Sequence, residues 1–502
     1  MRPSNHRRFL AAKIFRSTLA AFVVLYLALL IPERNSPAPV GAGRRPFSWN
    51  LDAFWSSLER QFQADRLTGC ETLAARIDAV ASTVRRQLDA MALGNLACGD
   101  ARFDALETNL FLLAPMVAAC PKQLPGYLQL CATTRETVKR QSEHWDMESV
   151  EARERIYRLL FGGRAALEEV MLQVPDELVP ALLVGVDEPS RTPATNVLGV
   201  AIHSGDILVS RGGAPTSALI ARGNDFPGNF SHIALAHVDE KTHALSVVEA
   251  HIESGVVVSS FADYLADKKL RVMALRLRSD LPPLLADPML PHKAASLAFE
   301  QATARHIPYD FAMDYQDHSK QFCSEVAAAA YEQCGVKLWM GISHLSSRGV
   351  TSWLSALGVK HFETQEPSDL EYDPQIRVVA EWRDPGTLSQ DHADNAVIDA
   401  MLENADRGEP MDYPRFVLPL ARLAKGYSAV LNTLGRSGPV PEGMSATAAM
   451  RHRAFSKKHA ALQARLMELA AEFKRSKGYH PPYWELVKLA RNAMTESNST
   501  FD

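Results

Sequence analysis

The stretch that decides the fold is residues 309–325, YDFAMDYQDHSKQFCSE, in which a polar run ends at Phe322 and a helical pattern begins at Cys323. A thiol at a helix N-terminus lies at the positive end of the helix dipole, which favours the thiolate, the reactive form of cysteine. The sequence therefore predicts a reactive cysteine at position 323.

A histidine that could take the proton of Cys323 lies earlier in the chain, on the predicted strand that begins at His232. Side chains alternate along a strand, so His232 shares a face with the small Ala234 and Ala236, which leaves room beside the ring for a helix N-terminus. Glu249 on the next predicted strand is placed to accept the imidazole N–H and fix its orientation. His251 is a fallback for this orienting role.

Each of these residues also has a structural interpretation. An isolated histidine on an apolar strand is more often structural, a buried cysteine is more often inert, and Glu249 could be a salt-bridged edge residue. Base, orienting residue and thiol occur together on suitable elements, which favours a cysteine hydrolase.

The composition and motifs of the chain give no support to nucleic-acid binding or to a metal or cofactor site. The chain has 502 residues, 47% of them apolar and 22% charged, with a net charge of -4. It has room for several domains and a sizeable core. No dense Lys/Arg stripe alternates with aromatics, so nucleic acid is not an expected partner. We find no zinc motif, calcium loop or phosphate-binding loop, and therefore expect no metal and no cofactor.

The N-terminus has the composition of a targeting segment. Five cations precede an apolar run from Leu19 to Ile31, and the run is closed by Pro32 and Glu33; the cations are Arg2, Arg7, Arg8, Lys13 and Arg16. We interpret residues 1–34 as a signal anchor or a signal peptide. The expected location is periplasmic, with the inner membrane bound through this segment, or secreted if the segment is cleaved.

Four of the six cysteines, Cys70, Cys98, Cys120 and Cys131, lie in the N-terminal helical region and allow three pairings. We expect Cys120 to pair with Cys131 and Cys70 with Cys98. If one helix carries both Cys323 and Cys334, about 16 Å separates them, which is too far for a disulfide. Cys323 should therefore be a free thiol.

Periodicity divides the remaining chain into an α+β centre with helical flanks. A linker over 35–46 precedes a helical region over 47–190, and a second helical region covers 386–502. The centre, 196–385, has strand-like runs at Asp206–Ser210, His232–Val238, Leu245–Ile252, Val256–Ser259, Arg271–Arg278 and Ile376–Trp382, and helical runs at Pro291–His306 and Phe322–Cys334. This pattern predicts an antiparallel sheet with one central helix.

Five short motifs in order resemble the YiiX/YaeF-like permuted papain-like hydrolases, in the circularly permuted branch of the NlpC-type superfamily, which also includes lecithin retinol acyltransferase. They are Gly205-Asp206-Ile207-Leu208, Ser231-His232-Ile233, Val248-Glu249-Ala250, Tyr309-Asp310-Phe311 and Cys323-Ser324-Glu325. The resemblance covers roughly residues 200–382 and leaves both helical flanks unassigned.

The resemblance implies that Cys323 is the nucleophile, His232 the base and Glu249 the orienting residue. Tyr309 and Asp310 match the family's Tyr-Asp pair, and Tyr309 either donates a hydrogen bond to the oxyanion or packs beside the cysteine helix.

The expected activity is cleavage of an amide or ester in a cell-wall peptide or in an acylated lipid or peptide, through an acyl-enzyme. Two alternatives remain open at this point. One is a non-catalytic envelope scaffold whose papain-like domain is a remnant, and the other is acyl transfer on the same triad.

Overall fold

The computed structural model describes residues 5–33 and 44–499. Its first helix, α1 (Asn5–Leu29), covers most of the predicted targeting segment. Among the helices of the described residues, none is both long enough and apolar enough to cross a membrane. Most of the predicted linker, residues 35–43, lies outside the described residues.

Five helices form the N-terminal bundle: α2 (Asp52–Thr68), α3 (Cys70–Met91), α4 (Ala101–Ala119), α5 (Leu124–Ser142) and α6 (Val150–Gln173). Helix α4 begins where Asp100 accepts a hydrogen bond from the Arg102 N–H, and α6 begins where Ser149 accepts one from the Ala152 N–H. Such side-chain caps satisfy N–H groups that a helix start leaves free. The bundle core contains Phe103 and Leu110 of α4.

The predicted disulfide pairing is wrong. Cys70 bonds to Cys120, with 5.0 Å between their Cα atoms, while Cys98 and Cys131 are free thiols. Cys70 opens the 22-residue helix α3, so about 33 Å of helix separates it from the chain that leads to Cys98. Helix α4 then returns antiparallel and brings Cys120 back to the start of α3. The predicted free thiol at Cys323 is confirmed.

The centre of the chain is a seven-stranded antiparallel sheet in the order β1-β11-β8-β4-β5-β6-β7. Its strands are β1 (Leu182–Val184), β4 (Ile207–Gly212), β5 (His232–Val238), β6 (Leu245–His251), β7 (Gly255–Ser260), β8 (Lys269–Leu277) and β11 (Ile376–Trp382). Two small hairpins pair β2 (Ala194–Val197) with β3 (Val200–His203), and β9 (Ser343–His344) with β10 (Glu363–Thr364). The antiparallel sheet was predicted from the sequence. The sequence did not predict the five short strands β1, β2, β3, β9 and β10.

Two helices cover one face of this sheet, α10 (Leu290–Ala304) and α11 (Cys323–Gln333). The alternation of β5 decides which residues meet them, because Ile233 and Leu235 point towards the helices while Ala234 lies in the cluster on the other face. Shorter helices in the centre are α7 (Pro215–Arg222), α8 (Phe261–Ala266), α9 (Pro282–Ala286) and α12 (Arg348–Leu357).

Gly205 and Asp206, the first of the five motifs, have structural roles at the start of β4. Gly205 has a φ of +95°, and a Cβ there would lie 2.4 Å from Pro291 of α10. The Asp206 carboxylate accepts two hydrogen bonds from Arg276 of β8, at 2.7 and 2.8 Å. The motif therefore lets α10 approach the sheet closely and ties β4 to β8.

Four helices follow the sheet: α13 (Pro385–Asp406), α14 (Leu418–Thr433), α15 (Ala446–Lys477) and α16 (Tyr483–Ser499). Helix α13 is the most deeply buried of them and packs against α7, α12, α15 and α16. The second helical region is thus joined to the centre through a shared apolar core, in which Leu219 of α7 contacts residues such as Val397 and Met401.

A buried cluster of charges joins the N-terminal bundle, the sheet and α13. Glu168 of α6 accepts hydrogen bonds from Arg271 of β8 at 2.6 Å, Arg383 at 2.7 Å and His392 of α13 at 3.0 Å. Arg271 also contacts Asp391 of α13 at 2.6 Å. Burial opposes ionisation of Glu168, but the surrounding cations hold the pKa of its carboxyl well below the ordinary value.

Replacement of Glu168 by alanine would leave Arg271 and Arg383 buried without their shared partner. We expect a loss of about 3–5 kcal/mol in the free energy of unfolding, because removing one partner of a buried ion pair is costly, although Asp391 and Glu381 still contact the two arginines. Urea unfolding followed by circular dichroism measures this loss. Glu154→Ala, at an exposed position of the same helix, is the control, and equal losses in the two variants would contradict the structural role of the cluster.

Candidate active site

Three of the residues predicted for catalysis or its support, Cys323, His232 and His251, line one cavity of about 760 Å³. Tyr309 also lines it. The cavity has walls from the centre of the chain and from the loop and helices around residues 421–453. The second helical region is therefore part of the candidate site and not only an accessory.

Cys323 is the first residue of α11, and Phe322 before it is extended, with φ -90° and ψ 174°. The Glu325 carboxylate accepts a hydrogen bond from the Phe322 N–H at 2.9 Å, which satisfies a donor at the helix start. The thiol is buried, and its Sγ lies 3.9 Å from the Ser231 carbonyl oxygen. Cys323 thus lies beside the peptide that precedes His232.

His232 is the first residue of β5, where it pairs with Ser210 of β4. Its Nε2 lies 2.7 Å from Oε2 of Glu249, which is buried on β6. In the register of the two strands Glu249 is opposite Ala234, so the carboxylate reaches His232 diagonally across one face of the sheet. Because Nε2 is engaged by Glu249, Nδ1 is the ring nitrogen left to take a proton from the thiol.

His251 does not take the fallback role that the sequence predicted. Its Nε2 lies 3.2 Å from Oε1 of Glu249, the second oxygen of the same carboxylate, and its ring centroid is 5.7 Å from that of His232. One glutamate therefore serves two imidazoles. His251 fixes Glu249, and Glu249 fixes His232.

The protonation states of Glu249, His232 and His251 follow from their burial and from the hydrogen bonds between them. Burial opposes ionisation of Glu249, but the hydrogen bonds with His232 and His251 hold its pKa well below the ordinary value. Burial lowers the pKa of His232 although Glu249 acts in the opposite direction. The hydrogen bond with Glu249 raises the pKa of His251. Near neutral pH His232 is therefore an uncharged imidazole held by a charged carboxylate.

The predicted thiolate is not the resting form of Cys323. Burial raises the pKa of its thiol to about 12, and the nearby Glu366 adds to this, while the Ile233 N–H acts in the opposite direction. A protonated thiol also fits the contact with the Ser231 carbonyl, which can only accept. Desolvation of the thiolate thus outweighs the helix N-terminus in the free site.

The geometry differs from the sequence prediction in one further respect. Helix α11 packs on the Ile233 face of the sheet, opposite to the face that Ala234 shares with the Glu249 side chain. The small residues of β5 therefore do not make room for the nucleophile helix. Cys323 instead approaches His232 at the end of the strand, where the chain turns from Ser231 into β5.

Tyr309 and Asp310 have separate roles. Tyr309 lines the cavity, and burial raises the pKa of its hydroxyl well above the ordinary value, so the hydroxyl keeps its proton. Asp310 does not line this cavity. Its carboxylate accepts hydrogen bonds from the N–H groups of Ala312 at 2.9 Å and Asp314 at 2.6 Å, which holds the loop before Cys323 in shape.

The sequence analysis did not predict two features of the site. Burial raises the pKa of Glu366 to about 8, and this carboxyl is close enough to Cys323 to affect its thiol. At the other wall, His452 of α15 bonds through Nε2 to the Thr216 hydroxyl of α7. No motif marks Glu366 or His452, because each joins the site only through tertiary packing.

The described part of the chain contains no group of three or more His, Cys, Asp or Glu side chains that could hold a metal ion. A second cavity of about 480 Å³ lies between the N-terminal bundle and α13, and its lining includes aromatic side chains such as Trp49, Trp55 and Phe161. Neither Cys323 nor His232 is among its lining residues. The candidate thiol and imidazole therefore share the larger of these two cavities.

Comparison with known families agrees with this geometry. Residues 201–380 match the family model described as permuted papain-like amidase enzyme, YaeF/YiiX, C92 family. A search of the curated proteins finds no match. The resemblance stated from the motifs is confirmed, as is the α+β papain-like fold with helical flanks. The match indicates an enzyme of the papain-like amidase or peptidase type.

The raised pKa of Cys323 predicts how its reaction with iodoacetamide depends on pH. The thiolate fraction should rise about tenfold per pH unit between about pH 7 and about pH 9, because both values lie below the thiol pKa. Mass spectrometry after proteolysis on the C-terminal side of glutamate, which cuts at Glu325 and Glu332 and so separates Cys323 from Cys334, measures the rate at Cys323 alone. A rate that is already constant near neutral pH would contradict a protonated resting thiol.

Proposed function

We propose that this protein is a cysteine amidase that cleaves an amide bond of an acylated substrate through Cys323, His232 and Glu249. The observation that carries the proposal is one cavity lined by a buried thiol and by an imidazole whose Nε2 is bound to a buried carboxylate at 2.7 Å. The match to the permuted papain-like amidases supports the same reaction class.

The reaction begins with a proton transfer. Cys323 Sγ attacks the acyl carbonyl carbon while Nδ1 of His232 accepts the thiol proton, so charge appears only as the S–C bond forms. Glu249 then stabilises the imidazolium through Nε2. Since burial disfavours the thiolate before substrate binds, the base acts during the attack and not in advance.

The tetrahedral intermediate needs hydrogen-bond donors for its oxyanion. Backbone N–H groups at the start of α11, where Cys323 is the first helical residue, are free of intrahelical partners. The Tyr309 hydroxyl is a second donor, since its raised pKa keeps it protonated. His232 then protonates the leaving amine, the C–N bond breaks, and a thioester joins the acyl group to Cys323.

Hydrolysis of the thioester completes the cycle. His232, neutral again, removes a proton from water as the water attacks the thioester carbonyl, and the S–C bond breaks to release the acid and restore the thiol. The same neutral form of His232 is required in both halves of the reaction.

The walls of the cavity support an acylated substrate. One wall is apolar, formed by Ala421, Ala424, Val440 and Met444 of the second helical region. Elsewhere its lining carries the polar and charged groups Lys268, Lys269, His251 and Glu253. An acyl group fits the apolar wall and a polar amine portion fits the polar lining.

The proposal is tested with fluorogenic acyl amides that release 7-amino-4-methylcoumarin. Cys323→Ala should abolish release, and His232→Ala should lower kcat/KM by about 10²–10⁴-fold because the proton acceptor is lost. Glu249→Gln should lower it less, since the base remains but loses its charged partner. Steady-state fluorescence measures all three.

Cys334→Ser is the matched control, because Cys334 ends the same helix and does not line the cavity. This variant should keep wild-type kcat/KM. Thermal unfolding of each variant separates loss of chemistry from loss of fold. Release that persists in folded Cys323→Ala, or that is lost equally in Cys334→Ser, would contradict the assignment of the nucleophile.

A further inference from the structure

Helix α14 and its flanks carry an unusual exposed surface, which we call the apolar stripe. Its side chains are between 59% and 71% exposed, although apolar side chains of this size are mostly buried; the stripe consists of Phe416, Leu420, Leu423, Tyr427, Val430 and Leu434. Their spacing alternates between four and three residues, so they lie on one side of a helix. The stripe is therefore a continuous apolar surface and not a scatter of single residues.

A neighbouring side of α14, about a quarter turn from the stripe, faces the candidate active site. Ala421 and Ala424 line the cavity that contains Cys323, and the buried Ser428 hydroxyl accepts a hydrogen bond from the Val440 N–H at 2.9 Å. One helix thus presents small residues to the cavity and large apolar residues to the outside. Whatever covers the stripe lies within one helix diameter of the catalytic cavity, about 10 Å.

The charge around the stripe has a single sign. Arg415, Arg422, Lys425 and Arg436 lie within or beside it, and the sequence has no acidic residue between Asp412 and Glu442. A basic helix with exposed apolar side chains is typical of segments that lie in the surface of an anionic bilayer. Two copies of the stripe facing each other would bring their cations together, which disfavours self-association.

The stripe continues onto α1. The Tyr26 hydroxyl donates a hydrogen bond to the Phe416 carbonyl at 3.0 Å, and Arg422 donates to the Ile31 carbonyl at 2.5 Å. Helix α1 also exposes large apolar side chains, among them Phe15, Leu19, Phe22 and Leu25. The first 32 residues contain no acidic residue either. Two basic, apolar helices therefore meet on one side of the molecule.

We propose that the apolar stripe of α14 binds the surface of an anionic lipid bilayer, with its apolar side chains in the acyl boundary and its cations at the headgroups. This binding is independent of the proposed hydrolysis. It places the active-site cavity next to the bilayer surface.

The test is flotation of the full chain with lipid vesicles, one set of phosphatidylcholine alone and one containing phosphatidylglycerol. Wild type should float with the anionic vesicles, more weakly with the neutral ones, and less at high salt. Leu423→Gln/Val430→Gln should reduce the bound fraction at least tenfold. Arg436→Glu should reduce anionic binding by roughly fivefold or more and leave neutral binding unchanged.

Leu67→Gln/Leu93→Gln is the matched control, since both leucines are 90% exposed and lie away from the stripe. This variant should bind like wild type. The proposal is overturned if wild type does not float with anionic vesicles, or if the stripe variant floats as well as wild type. It is also overturned if sedimentation shows a wild-type dimer that the stripe variant abolishes, because a second copy would then be the partner.

Discussion

The buried carboxylate of Glu168 is the interaction on which the arrangement of the chain depends. It receives hydrogen bonds from Arg271 of the sheet, from Arg383 beyond its last strand, and from His392 of α13. These groups come from three parts of the chain, and loss of any one of them would change the balance of charge in a buried cluster. The cluster therefore joins the N-terminal bundle and the second helical region to the sheet, and α15, which packs against α13, forms a wall of the cavity together with α14.

A second buried carboxylate, Glu249, organises the candidate site in a similar way. Its two oxygens hold His232 and His251, so the base is oriented by a group that is itself fixed. The thiol beside this base is protonated at rest because burial raises its pKa. A protonated thiol is a weak nucleophile, so the free site holds Cys323 in its less reactive form.

The sequence predicted the parts of the fold that local patterns control. The limits of β5 and of β11 are as predicted, because both have strong runs of β-branched and apolar residues. The start of α11 at Cys323 follows from the change of pattern at Phe322. The pairing of His232 with Glu249 followed from alternation and neighbouring strands, which are local rules.

Long-range packing decided what the sequence did not predict. The pairing of Cys70 with Cys120 depends on the antiparallel packing of α4 against α3. No motif in the sequence between the two cysteines indicates that packing. The contribution of His452 to the cavity wall depends on how α15 packs against α7. The protonated state of Cys323 depends on burial, which a helix start alone does not reveal.

The central claim is that Cys323 forms a covalent acyl intermediate with the help of His232. Intact-mass spectrometry after a short incubation with a p-nitrophenyl acyl ester, followed by peptide mapping, tests it most directly. The account predicts a single acyl adduct on the peptide that contains Cys323, slower to form in His232→Ala and absent in Cys323→Ala. An adduct on another residue, or one that forms equally in Cys323→Ala, would contradict it.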